Sequence, residues 1–255
     1  MASLSAGSNS IETINCTLSN VIVITTYLRM LLNTQSVSGT QLTLPLLAPR
    51  AVSVQGAGLL HIAGDVALLG RPGVAVVGSR RASHRGRALA ADVAAELVRR
   101  GLVVVSGLAV GIDATAHEAA MHAGGRTLAV IGTSLDQAYP RHHAELQARI
   151  SRDHLVVSPF ATGTPTSRWH FPKRNRVMAR LAKAMVLVEA GESSGTRHQV
   201  RECLDLGRPV FVHDALLGSD GPSWLVDLAR RGEISPWSCA ADLGEAVAPI
   251  LRAAQ

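Results

Sequence analysis

The 255 residues carry 47% hydrophobic and 17% charged side chains, which suits a soluble globular protein with one substantial core. Lys and Arg number 25 against 19 Asp and Glu, a net charge of +6 that favours a polyanionic partner such as nucleic acid and says nothing of fold. Cys16, Cys203 and Cys239 are too few and too scattered for a disulfide framework or a zinc site, so a reducing cytoplasm fits, and no run reaches the ~18 apolar residues of a membrane span.

Residues 1–50 are rich in Ser, Thr and Asn and nearly free of charge, and they read as a poorly ordered or weakly folded N-terminal extension, with a short docking helix near 19–32 as the alternative. Residues 51–255 form the folded domain. From residue 74 short β-branched runs recur every 24–31 residues: VAVV (74–77), LVVV (102–105), TLAVI (127–131), HLVV (154–157), MVLV (185–188) and PVFV (209–212). Between them lie segments of helical spacing, such as 86–101, where Leu89, Val93, Leu97 and Val98 share a face.

Strand, helix and strand at this interval predict an α/β fold: a Rossmann-like, doubly wound sheet of about six mainly parallel strands with helices on both faces. In such a sheet the ligand crevice lies beyond the carboxyl ends of the strands. Five Gly- or Ser-rich turns fall just there: GSRRAS (78–83), SGLAVGID (106–113), GTSLD (132–136), the segment 158–176, and EAGESSGT (189–196).

The first turn offers Gly78, Ser79 and the guanidiniums of Arg80 and Arg81 at a helix N-terminus, a setting suited to phosphate. It is not the G-x-G-x-x-G of a dinucleotide site, so no cofactor is predicted, and no metal. In the second turn Ser106 and the amides near Gly107 are further candidate donors, Asp113 is placed to cap the following helix, and His117 reads as a satisfied partner rather than a catalyst. On a helical wheel starting at Pro172, Lys173, Arg176, Arg180 and Lys183 form one arc opposite Val177, Met178, Leu181 and Ala182. Arg174 falls on the apolar side, in the first turn, where it points to the crevice. Gly195 and Thr196 start another helix, with Thr196 as the expected N-cap. The candidate phosphate- or DNA-binding set is Gly78, Ser79, Arg80, Ser106, Gly107, Lys173, Arg174, Asn175, Arg176, Gly195 and Thr196. Tyr139 and Trp169 are the candidates for base stacking in a chain with 3% aromatic residues.

In order and spacing, VGSR (77–80), SGLAVGID (106–113), GTSLDQAYP (132–140), FPKRNRVMARLA (171–182), VEAGESSGT (188–196) and GRPVFV (207–212) resemble the DprA/Smf family of DNA-processing proteins. The resemblance runs from about Gly73 to Val212 and covers the core domain. It implies single-stranded DNA binding, protection of the strand and loading of a RecA-type recombinase during DNA uptake and transformation, without catalysis. It also implies a pocket lined by Arg80, Arg174 and Arg176, with Lys173 assisting, and a possible homodimer. The turn SGTRHQ (194–199) departs from the family's small, apolar continuation.

Two other readings stay open. A nucleotide-sensing domain of a defence or regulatory system would use the same crevice for a small phosphorylated signal. A LOG-type phosphoribohydrolase, from the same wider superfamily, would need a catalytic Glu where Gln199 stands, unless Glu202 or Glu192 replaced it.

Overall fold

The computed structural model describes residues 12–14, 49–192 and 195–252. The expectation for residues 1–50, including a helix near 19–32, lies outside the described residues apart from 12–14, 49 and 50.

The strands are β1 (Glu12–Ile14), β2 (Arg50–Val54), β3 (Gly58–Gly64), β4 (Gly73–Gly78), β5 (Val103–Ser106), β6 (Thr127–Val130), β7 (Leu155–Ser158), β8 (Ala184–Glu189), β9 (Val210–His213) and β10 (Ser235–Trp237). The helices are α1 (His84–Arg99), α2 (Ile112–His122), α3 (Ala144–Asp153), α4 (His170–Leu181), α5 (Thr196–Asp205), α6 (Ser223–Arg230) and α7 (Ala240–Arg252). They build one sheet in the order β1-β2-β3-β7-β6-β5-β4-β8-β9-β10. The six apolar runs of the sequence are its contiguous parallel centre, β7 to β9. The sheet extends further on both sides, through the β2–β3 hairpin, antiparallel to β7, and through β10 beside β9.

Alternating side chains of each central strand feed different cores, which is why the runs are apolar throughout rather than at every second residue. Ala75 and Val77 pack with Val177 and Met178 of α4, Val200 of α5 and Leu225 of α6. Val74 and Val76 pack on the other face with Val93 and Leu97 of α1, Ile112 and Ala116 of α2, and Leu243 and Val247 of α7. Leu146 and Ile150 of α3 cover Ala129 and Val156 on that same side. Each Val, Leu, Ile or Met among them, fully removed from water, contributes roughly 1.5–3 kcal/mol.

The chain runs outward from β4 through β5 and β6 to β7, then returns to the other side of β4 as β8 and β9. The strand order therefore reverses between β4 and β8. At such a point the loops leaving neighbouring strands diverge and open a crevice.

Two helix starts differ from expectation. The N-cap of α2 is Gly111, at φ 83, and Asp113 sits inside the first turn. The N-cap of α5 is Gly195, one residue before Thr196. In the first case the Asp113 carboxylate is engaged by the backbone N–H groups of Gly107 and Ala109 in the preceding turn rather than by its own helix end.

Candidate functional site

A cleft of about 400 Å³ opens at the reversal point. The β4–α1 turn contributes Gly78, Ser79, Arg80 and Arg81; α2 contributes Asp113; the start of α4 contributes Phe171, Pro172, Arg174 and Asn175; the β8–α5 turn contributes Gly191, Gly195, Thr196, His198 and Gln199. A smaller recess of about 100 Å³ shares Arg80, Ala109, Phe171 and Arg174 with it and adds Gly107, Gly132 and Tyr139.

Arg174 is the centre of this arrangement. It is 3% exposed, and its guanidinium Nε and Nη1 have no hydrogen-bond partner among the described residues. Its nearest carboxylate is Asp113, at 3.9 Å from Nη1, too far for a hydrogen bond. Asp113 instead accepts from the backbone N–H of Gly107 (3.2 Å) and, weakly, of Ala109 (3.4 Å). Burial pushes the Asp113 carboxyl up and the Arg174 guanidinium down, each partner offsetting part of the other's shift, and Arg80 adds to the lowering at Arg174. A guanidinium stays protonated in proteins. The cleft thus holds a desolvated cation with spare donors, the condition that a phosphate oxygen relieves.

Gly107 makes this possible. A Cβ there would overlap Arg174 Nη1, so only glycine leaves room for the guanidinium. The next residue, Leu108, is buried at φ 58, a left-handed conformation that costs a branched residue about 1–2 kcal/mol. His143 Nδ1 contacts its carbonyl at 3.0 Å, and the Gly107 and Ala109 amides on either side are held by Asp113.

Other expected residues are placed differently. Ser106 is fully buried and donates to the Val76 carbonyl at 2.6 Å, tying β5 to β4, so its hydroxyl does not reach the cleft. The Gly107 amide is committed to Asp113. Lys173 stands outside the cleft, with Nζ 5.1 Å from the centre of the Phe160 ring. Arg176 lies on the outer side of α4 and pairs with Glu202 of α5 at 3.0 Å. Asn175 does line the cleft, where its Oδ1 accepts from Gln199 Nε2 at 3.2 Å. The N-terminus of α1 is not open to phosphate, because Glu189 fills it: its carboxylate accepts from Ser83 N at 3.1 Å and Ser83 Oγ at 2.6 Å. The N-terminus of α5, at Gly195 and Thr196, opens on the cleft.

Of the two stacking candidates, Tyr139 is half exposed in the recess with its ring centre 5.3 Å from that of Phe171, while Trp169 is 72% exposed and lines neither depression. Phe171 itself escaped sequence reading; its position just before Pro172, at the crevice end of a helix, was the available signal. Arg80 lies over its ring, at 5.7 Å from the centre.

Glu192, His117 and Cys203 are engaged or buried. Glu192 accepts from Ser223 N and Oγ at 2.8 and 2.7 Å. His117 is buried away from the cleft against Thr127 Oγ1, at 2.6 Å. Burial pushes the Cys203 thiol up to about 12. Among the described residues no group of His, Cys, Asp and Glu is arranged to hold a metal ion, and no helix is long and apolar enough to cross a membrane.

A doubly wound α/β sheet with a buried, under-satisfied arginine at its reversal point defines a Rossmann-like protein with a cationic cleft. The family model of DNA recombination-mediator protein A matches residues 52–230, and the chain belongs to that family. It is 44% identical over 154 residues to DNA processing protein DprA of Streptococcus pneumoniae, covering 60% of this chain and 54% of that one. It is 33% identical over 182 residues to DprA of Bacillus subtilis, covering 71% and 61%. The chain thus spans between half and two thirds of the length of these relatives. Among solved structures, DprA of S. pneumoniae superimposes with a TM-score of 0.67 at 38% identity, over 73% of this chain and 65% of that one. A Helicobacter pylori DprA structure, described in terms of its single-stranded DNA binding mode, gives 0.67 at 24% identity, over 84% and 94%, a likeness of fold.

Proposed function

We propose that this chain binds single-stranded DNA by its phosphodiester backbone in the β4–β8 cleft, as a non-catalytic DNA-processing protein of the cytoplasm. In that role it protects strands during uptake and recombination and helps to load a RecA-type recombinase, with a homodimer as the working form. The observation that carries the reading is Arg174, a buried guanidinium with two nitrogens, Nε and Nη1, unpartnered among the described residues, at a cleft that also presents Arg80 and the α5 N-terminus. Family membership and the names of the relatives support it. The carboxylates that a LOG-type hydrolase would recruit are engaged elsewhere, Glu202 with Arg176 and Glu192 with Ser223, and Gln199 cannot act as a base.

The test is binding of a labelled oligothymidylate followed by anisotropy. Arg174→Ala is expected to weaken it about 10- to 100-fold, the worth of a charged hydrogen-bond donor of roughly 1.5–3 kcal/mol. Because that change also strands Asp113, Arg80→Gln, at an exposed position, provides a second variant with a smaller loss and unchanged stability. Wild-type protein that binds no oligonucleotide would refute the proposal. The cleft's volume of about 400 Å³ also suits a single nucleotide, the specific observation behind a sensing role. Thermal stabilisation by mononucleotide but not by oligonucleotide would favour that reading.

A further inference from the structure

A second groove, of about 430 Å³, lies between α5 and α6. Arg197, His198 and Arg201 of α5 form one wall; Trp224, Asp227 and Arg231 form the other. His198 lines the cleft as well, so the two depressions meet across the first turn of α5. Arg197 and Arg201 are four residues apart on one helix face, about 6 Å along the axis, a spacing that lets them take successive phosphates of an extended strand.

The charges of the groove are available. Arg197 is exposed and makes no ion pair among the described residues. Arg201 pairs with Asp205 at 3.1 Å and Arg231 with Glu233 at 2.6 Å, but both arginines are more than half exposed, with side-chain exposures of 63% and 58%. Exposed pairs of this kind contribute about 0–1 kcal/mol, so a phosphate displaces the carboxylate at little cost. Trp224, in contrast, is 6% exposed, and its indole N–H has no hydrogen-bond partner among the described residues. Against the single carboxylate of its lining, Asp227, the groove sets three arginines, a histidine and an under-satisfied buried donor, a balance suited to an anion. Its cationic side comes from TRHQ (196–199) and the residues after it, the segment in which the chain departs from the resemblance noted above.

We propose that this groove is a second phosphate subsite, which carries the backbone of a single strand out of the cleft and over the start of α5. The proposal rests on the reading that the cleft holds single-stranded DNA. Arg197 and Arg201 are its principal cations, and Arg231 closes the far side.

The test compares oligothymidylates of about 4 and about 16 nucleotides. They are titrated against the wild type, against the Arg197→Gln/Arg201→Gln double variant, and against Arg149→Gln/Arg152→Gln. The last removes equal charge from α3, whose C-terminal end leads into β7, on the other side of β4 from β8 and β9. The short oligomer is expected to bind all three proteins equally. The long one is expected to lose about tenfold in the Arg197/Arg201 variant only, with the slope of log affinity against log salt reduced by about 1.4, two contacts at ~0.7 each. Circular dichroism checks that both variants stay folded. Equal affinity of the long oligomer for wild type and the Arg197/Arg201 variant overturns the subsite and leaves the cleft reading standing. So does an equal loss in both double variants, or a loss on the short oligomer as large as on the long one. If neither oligomer binds the wild type, the cleft reading falls and the subsite with it.

Discussion

Gly107 sets the chemistry of the cleft without touching a ligand. A methyl group there would occupy the space of the Arg174 guanidinium, and the same residue's N–H anchors Asp113. The smallest change, Gly107→Ala, should therefore displace Arg174 and reduce oligonucleotide affinity about as much as Arg174→Ala, some 10- to 100-fold. It should do so while leaving the positive charge in the protein, which separates lost geometry from lost charge. Anisotropy titrations of the two variants side by side check this; Gly107→Ala binding like wild type would mean that the observed position of Arg174 is not the binding position.

Glu189 ends β8 and accepts from Ser83, the N-cap residue of α1, joining the two elements on either side of the reversal point. Replacing it with Ala should cost about 1 kcal/mol in urea unfolding, the usual effect of a lost hydrogen-bonded partner. Gly86, in the first turn of α1, stands so close that a Cβ would clash with the Glu189 carboxylate. Gly→Ala in a helix ordinarily stabilises by about 0.5–1 kcal/mol, so Gly86→Ala is a signed test: here it should destabilise, and a gain in the urea midpoint would count against the clamp. This contact also marks the limit of what the sequence conveys. The six central strands were legible because continuous β-branched runs at βαβ spacing leave little else to form, and Arg174 was legible because a wheel put a charge on an apolar face next to the crevice. The β2–β3 hairpin and the three residues of β10 were not, since short edge strands lack that signal. Nor were the partners of Glu189, Glu192, Ser106 and Arg176. Each is bound to a residue of another element, and Glu189 meets Ser83 from 106 positions away, a proximity that only the folded sheet creates.

At the scale of the whole molecule, stability should fall in acid for a reason located in the packing of α2 on the sheet rather than in the lining of the cleft. His117 of α2 is fully buried between α2 and the sheet, and Thr127 Oγ1 donates its own proton to the Val104 carbonyl at 2.8 Å, so the contact with His117 uses an Nδ1–H of the neutral ring. Burial, and after it the charges of His154, Arg174 and His143, pulls the His117 pKa down from 6.5 to about 3. His154 and His213 are lowered as well, also chiefly by burial. The sign follows from which state binds protons. Above pH 6.5 neither state protonates His117 and it contributes no pH dependence. Between about 6.5 and 3 the unfolded chain takes up a proton that the folded protein refuses, so stability drops as pH falls, by up to about 1.4 kcal/mol per pH unit for each such histidine. Below about 3 the folded state protonates too and the slope from this residue vanishes. His117→Asn keeps a donor near Nδ1 and removes the titration. It should be less stable than wild type at pH 7.5, from imperfect packing, and should lose less stability on going to pH 4.5. Urea unfolding of both proteins at the two pH values reads the difference directly, and parallel pH profiles would show that the acid sensitivity arises elsewhere.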